Sequence, residues 1–347
     1  MRSFVIALPV ILALGLMAAA QMQGPPPEMK KFDVMLGNWE GTGTAKMVPD
    51  QPAGEWTAVS TIKKIMGGHF VQENVRIDIG PDMPQMIFYS VYSWDPAAKR
   101  YMCFMCGNMG AFTSLPVYWT EDGKLVNGGV ATEHGNVMTD RAVTEFSDDE
   151  VRFKCLRAAG SGEFYVCLQG SMKRGGPGFA VTGETAGVSL SPPDEHVKAV
   201  APMAGNWSFK GRMKMMSGSP WMDISGQEAI EPILGGHVYV SRVTGDPIPD
   251  MPRYEGLSFT GWDEQANCLK TFGFCTMGDA HGVNVYPKGD KRLIFTNSAV
   301  YHGHPMVQRM VLEISDDGNG MKIWSDSITA DGDPERCFEG TYTKTKT

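Results

Sequence analysis

The chain has 347 residues, 42% of them hydrophobic and 20% charged, a composition that supports packed cores and excludes a disordered polymer. Its length exceeds the ~250 residues at which single cores stop growing, so two domains are expected. A formal charge of −8 repels phosphate backbones and anionic lipid surfaces, which excludes nucleic acid as a partner.

The opening MRSFVIALPVILALGLMAAAQ places one positive charge before an apolar run that ends in Ala18, Ala19 and Ala20. It reads as a secretory signal peptide over residues 1–20, cleaved on export to the bacterial periplasm or the extracellular space. An uncleaved anchor is the alternative. Against it, the run contains Pro9 and sits at the short edge of the ~17–25 residues a span requires. No membrane insertion is expected after cleavage.

PPPEMKKFDVML then opens with prolines and an acidic residue, the signature of a short α-helix. It leads into LGNWEGTG, and from there the chain reads as strands. VSTIKKI, HFVQENVRI, MIFYSVYSW, RAVTEF and EFYVCLQG are short, rich in β-branched and aromatic residues, and separated by Gly, Pro, Asp and Asn. KRGGPGFAVTGETAGVSLSPP follows as a linker rich in Gly, Pro, Ser and Thr. Beyond it SPPDEHVKAVAPMA and AGNWSFKG start the sequence of elements again.

The restart is an internal duplication. Trp207 and Trp39, His237 and His69, Pro249 and Pro81, Trp262 and Trp94, His302 and His134, and Arg309 and Arg141 are each separated by 168 positions. Gly318 and Asn319 then shift the spacing to 170, at which Cys337 matches Cys167. The expected organisation is a first domain at 26–173, a linker at 174–191 and a second domain at 192–347. So many antiparallel strands must hide their sheet edges, which closure into a barrel does completely; a β-sandwich is the second choice.

The Gly-x-Trp after a short helix resembles the start of lipocalin and calycin barrels, where the Trp plugs one end, and GNWEGTG resembles nitrobindin-type barrels. Taken with GGHF, YSWDPAAKRY and EFSDDE in order, each repeat resembles the family known as domain of unknown function 1579. The resemblance implies an all-β chain of two tandem lipocalin-like antiparallel barrels, each preceded by a short α-helix, with Trp39 and Trp207 as barrel plugs. It implies no activity.

Several residues invite chemistry. The duplicated His69 with His134, and His237 with His302, are candidates to face each other across a barrel mouth, as ligand anchors or as an acid and base. The structural alternative is that each imidazole bonds a backbone carbonyl near a turn. Arg141 and Arg309 are candidates to stack on the plug Trp or to pair an acidic ligand. Cys103 and Cys106 spell Cys-x-x-Cys, but on a strand they point to opposite faces, which favours structural burial over redox or metal chemistry. Cys155 and Cys167 are equidistant from Ser161 at a probable hairpin tip, an arrangement that predicts a cross-strand disulfide.

No metal site and no cofactor are expected. Twenty-four methionines raise a Cu(I) site only as a minor alternative. Haem is another, because nitrobindin-type barrels hold it with a late histidine that neither repeat has. The reading is an exported protein whose partner is a small apolar or amphipathic molecule held in the barrels. An enzyme using the paired histidines and a structural or partner-binding repeat are the alternatives.

Overall fold

The computed structural model describes residues 24–46, 48–80, 85–133, 136–182, 192–214, 219–249, 251–301, 304–329 and 332–345. The signal segment, Pro81, His134 and His302 lie outside the described residues.

The first barrel comprises β1 (Gly37–Ala45), β2 (Gly54–Ile65), β3 (Phe70–Asp78), β4 (Met86–Asp95), β5 (Arg100–Gly107), β6 (Phe112–Trp119), β7 (Leu125–Glu133), β8 (Asn136–Phe146), β9 (Glu150–Ala159) and β10 (Tyr165–Arg174). Each strand pairs antiparallel with the next, and β1 closes the ring on β10. The second repeats the plan with β11 (Gly205–Lys214), β12 (Trp221–Ile233), β13 (Val238–Gly245), β14 (Glu255–Asp263), β15 (Cys268–Cys275), β16 (Ala280–Pro287), β17 (Arg292–Tyr301), β18 (His304–Ile314), β19 (Gly320–Thr329) and β20 (Glu335–Lys344), where β11 closes on β20. The two are all-β meanders of ten strands each, with no free sheet edge.

The lead-in helices differ from expectation in type. Pro27–Met35 and Glu195–Met203 are 3-10 helices, closed by bonds such as Leu36 N–H to the Asp33 carbonyl at 3.3 Å. Prolines supply part of the reason: Pro26 and Pro27 at the start of the first helix and Pro202 inside the second have no N–H to give an α-helical ladder.

Each residue of the duplicated Gly-Asn-Trp has a separate duty. Trp39 is 1% exposed and donates its indole N–H to the Met35 carbonyl at 2.8 Å; Trp207 does the same to Met203, also at 2.8 Å. Each indole thereby ties its 3-10 helix to the first strand of its barrel. Arg174 lies over the Trp39 ring at 4.2 Å and Lys344 over Trp207 at 5.1 Å. To reach there, these side chains cross Gly37 and Gly205, whose φ values are +133° and +136°. A Cβ at Gly37 would stand 2.6 Å from the Arg174 guanidinium, and one at Gly205 2.5 Å from Lys344. Asn38 accepts from the Thr61 hydroxyl at 2.9 Å through its side chain, and its carbonyl accepts the Gly175 N–H at 3.0 Å.

The barrels pack on each other through the outer faces of β3 to β5 and β13 to β15. Phe70, Tyr89, Val91, Phe104, Val240 and Phe259 belong to this shared core. The chain between the barrels joins it: Phe179 and Val181 are buried there, and the Phe179 N–H bonds Thr61 at 2.8 Å. Phe179 and Val181, from the described part of this segment, thus contribute to the core between the barrels.

Candidate functional site

Strand alternation sends every second side chain into a barrel. On β3 the inward row is Val71, Glu73, Val75 and Ile77, so one carboxyl enters an apolar interior. Its two oxygens are both engaged: Ser60 of β2 donates to Oε1 at 3.4 Å and Tyr92 of β4 to Oε2 at 2.9 Å. Burial pushes the Glu73 carboxyl above the usual range, while the two hydrogen bonds pull it back. Cys103 lies beside this group, where burial first and Glu73 second drive its thiol far up, so it is no nucleophile.

The second barrel carries the same pair with its members exchanged. Glu228 of β12 occupies the place of Ser60, and Ser241 of β13 the place of Glu73, each 168 positions on. The strand register is unchanged: Ser60 pairs with Val75 and Ile62 with Glu73, as Glu228 pairs with Val243 and Ile230 with Ser241. Ser241 donates to Glu228 Oε1. Thr260 and Thr271 replace Tyr92 and Cys103 and bond each other at 2.8 Å.

Two phenols enter this interior where the first barrel has methionine. Tyr254 stands at the place of Met86 and Tyr342, after the two-residue shift, at that of Met172. Glu228 is 2% exposed, Tyr342 2% and Tyr254 4%, and Phe209 stacks on the Tyr342 ring at 5.2 Å. Tyr342 lies beside Glu228, and Tyr254 is within reach of the charges of both. Yet Glu228 Oε2 and the hydroxyls of Tyr254 and Tyr342 are buried without a well-formed hydrogen bond, although Tyr342 lies close enough to Glu228 to interact with its carboxyl. Burial pushes Glu228 up to about 7, with Ser241 and Tyr342 pulling the other way. No Lys or Arg is fully buried among the described residues, so no side-chain cation offsets it from within the core.

The candidates singled out from sequence take other places. His69 lies against Gly278, whose added Cβ would come within 2.6 Å of its Nδ1; His237 lies against Gly110, at 3.7 Å by the same measure. These histidines face the opposite barrel, not a barrel mouth, and burial lowers the His69 value. Arg141 and Arg309 are exposed on the outer faces of β8 and β18, and the stack on the plug Trp belongs to Arg174 and Lys344. Cys103 and Cys106 do point to opposite faces, the first into the barrel and the second into the seam.

Cys155 is opposite Leu168, because Cys167 is the extra residue of a bulge in β10. Both thiols are free, and Cys167 Sγ lies 3.5 Å from the Cys155 carbonyl. The predicted cross-strand partnership is thus displaced by one residue. Cys337 repeats the contact with the Ser325 carbonyl at 3.4 Å, also at a bulge. The retained cysteine therefore marks a retained irregularity of the barrel wall. Among the described residues no three of His, Cys, Asp and Glu converge as a metal site would require.

The model of the family described as "Protein of unknown function (DUF1579)" matches residues 25–174 and again 191–344. The chain belongs to the DUF1579 family, in two copies. No curated protein matches it in sequence. Among solved structures, Rv2717c from M. tuberculosis is similar at 11% identity and a TM-score of 0.31, over 44% of this chain and 99% of that one. A DUF3598-family protein of unknown function from Nostoc punctiforme is similar at 9% identity and a TM-score of 0.29, over 92% of this chain and 100% of that one.

Within the tandem DUF1579 chain, the polar group of each interior escaped a search for matched residues because the carboxyl changes strand between copies. Its signal was a pair of reciprocal mismatches, Ser60 with Glu228 and Glu73 with Ser241, at the spacing that matches everything else.

Proposed function

We propose that this protein is exported and holds a small amphipathic molecule inside a barrel, reversibly and without covalent change. One observation carries the reading: Glu228 Oε2 and the Tyr254 and Tyr342 hydroxyls are buried in an apolar interior without well-formed hydrogen bonds. More than ~90% of buried polar groups in native proteins are paired, and each unpaired one costs about 1–3 kcal/mol. A bound molecule with complementary polar atoms removes that cost. Apolar walls such as Phe209, Met310 and Ile323 then bury its remainder at ~25 cal/mol per Å². Export rests on the leader pattern of residues 1–20.

Native mass spectrometry of the full chain purified from its own host tests the proposal. The expected spectrum carries a mass excess of a few hundred daltons that denaturation removes. Identical native and denatured masses, with no small molecule released on extraction, would contradict it.

A further inference from the structure

The two interior carboxyls differ in what meets them. Glu73 has Ser60 on one oxygen and Tyr92 on the other, so the first barrel has closed its own polar group. Among the described residues of that barrel's interior, the donor Trp119 Nε1, beside Phe32 and Phe146, remains unpaired. Glu228 has Ser241 on Oε1, while its Oε2 has no well-formed partner and Tyr342 lies beside the carboxyl. We infer that the second barrel is the binding site and the first is not, and that it takes a primary ammonium carried on an apolar body, seated between Glu228 Oε2 and the hydroxyl oxygens of Tyr254 and Tyr342. The inference rests on the binding function proposed above and names the ligand class and the barrel.

The match is one of number, charge and surroundings. A primary ammonium offers three N–H donors and no acceptor, and the site offers three oxygens able to accept. Its charge is opposite to that of a carboxylate, and an ionised partner roughly doubles the strength of a hydrogen bond. The rings of Tyr342 and the stacked Phe209 add aromatic faces of the kind that hold organic cations. A carboxylate ligand could accept the phenol protons, but it would find no cation and would meet a like charge wherever Glu228 is ionised. An alcohol supplies one donor and leaves two of the three oxygens unmet.

Proton release supports the assignment. The groups facing Glu228 are Ser241 from β13, Tyr342 from β20 and Tyr254 from the segment before β14; Asp279 is a further negative charge near Tyr254. None is cationic, so burial keeps the free site protonated up to about pH 7, and an arriving ammonium must displace that proton.

The test is calorimetric titration of the full chain with octylamine, 1-octanol and octanoate as probes, in wild type, Glu228→Gln and Glu73→Gln. Circular dichroism confirms that each variant is folded. Expected is one octylamine per chain, bound at least about tenfold more tightly than octanol or octanoate, and about thirtyfold more tightly at pH 8 than at pH 5.5. Glu228→Gln should erase both the amine preference and the pH dependence while octanol binding survives, and Glu73→Gln should change neither. Three probes of equal affinity, or an amine preference lost in Glu73→Gln and kept in Glu228→Gln, would overturn the inference and leave the binding function standing. Failure of all three probes to bind would overturn both.

Discussion

The ring of Phe104 lies 4.8 Å from that of Phe272, its own counterpart one repeat later. A residue meets its equivalent only on a two-fold axis, so the barrels are related as the subunits of a symmetric dimer are. The histidines obey the same axis, His69 on Gly278 and His237 on Gly110, which are themselves counterparts. Phe272→Ala removes a ring that contacts both Phe104 and Phe112 across this seam. Phe272 is partly buried, so the change should cost roughly 1–3 kcal/mol in urea unfolding. Residues 24–182 and 192–347 produced as separate chains should associate with each other on size exclusion. Two stable monomers that ignore one another would contradict this seam.

The glycine of Gly-Asn-Trp is predicted to be intolerant of any side chain. Gly37→Ala adds a Cβ at φ +133° into the Arg174 guanidinium and should lower stability by more than about 1 kcal/mol. Gly205→Ala is the matched change against Lys344. Thermal melts that equal wild type in both variants would show that the crossing cation does not constrain the backbone.

Much of the architecture was legible because a constant spacing of 168 identifies two copies, and alternating β-branched residues between turns identify strands. The site was not legible by the same rule. Residues kept at equal positions in both copies, such as His69 with His237, are kept by a symmetric seam that needs both. The carboxyl needs only to be inside the barrel, and β2 and β3 deliver it there equally well, so it moved from Glu73 to Glu228. The disulfide expectation failed to foresee the bulge at Cys167, which shifts the facing residue by one and is invisible in a hairpin counted by symmetry.

Glu228 makes folding pH-dependent with a definite sign. Its carboxyl value is raised from 4.5 to about 7 in the folded protein, so the folded state holds a proton that the unfolded chain releases above about 4.5. Its contribution is complete below that pH, declines between about 4.5 and 7, and is lost above 7. The swing is on the order of 3 kcal/mol. Glu228→Gln keeps the shape without the charge, so it should stabilise the protein at pH 8 and flatten this decline. Urea unfolding of the two proteins at pH 4.5, 6 and 8 measures it, and parallel curves would contradict the burial of an unpaired acid.

Cys103, Cys106 and Cys275 should be silent toward a thiol reagent in the folded state, because burial drives each thiol far above its ordinary value. Labelling should track global unfolding. Rapid modification of Cys103 at neutral pH without loss of structure would show that reagent and water reach the interior of the first barrel.

The proposed entry of ligand into the second barrel beside Glu228 can be read directly from labelled side chains. Methyl-labelled methionine gives interior reporters in both barrels: Met213, Met306, Met310 and Met321 in the second, Met29, Met35, Met86 and Met172 in the first. Carbon–proton spectra of the full chain titrated with octylamine, assigned through single Met→Leu variants, read both interiors at once. Second-barrel methyls should shift with one saturable binding curve, first-barrel methyls should stay in place, and Glu228→Gln should abolish the shifts. Shifts confined to the first-barrel methyls, or unchanged by Glu228→Gln, would contradict entry beside Glu228.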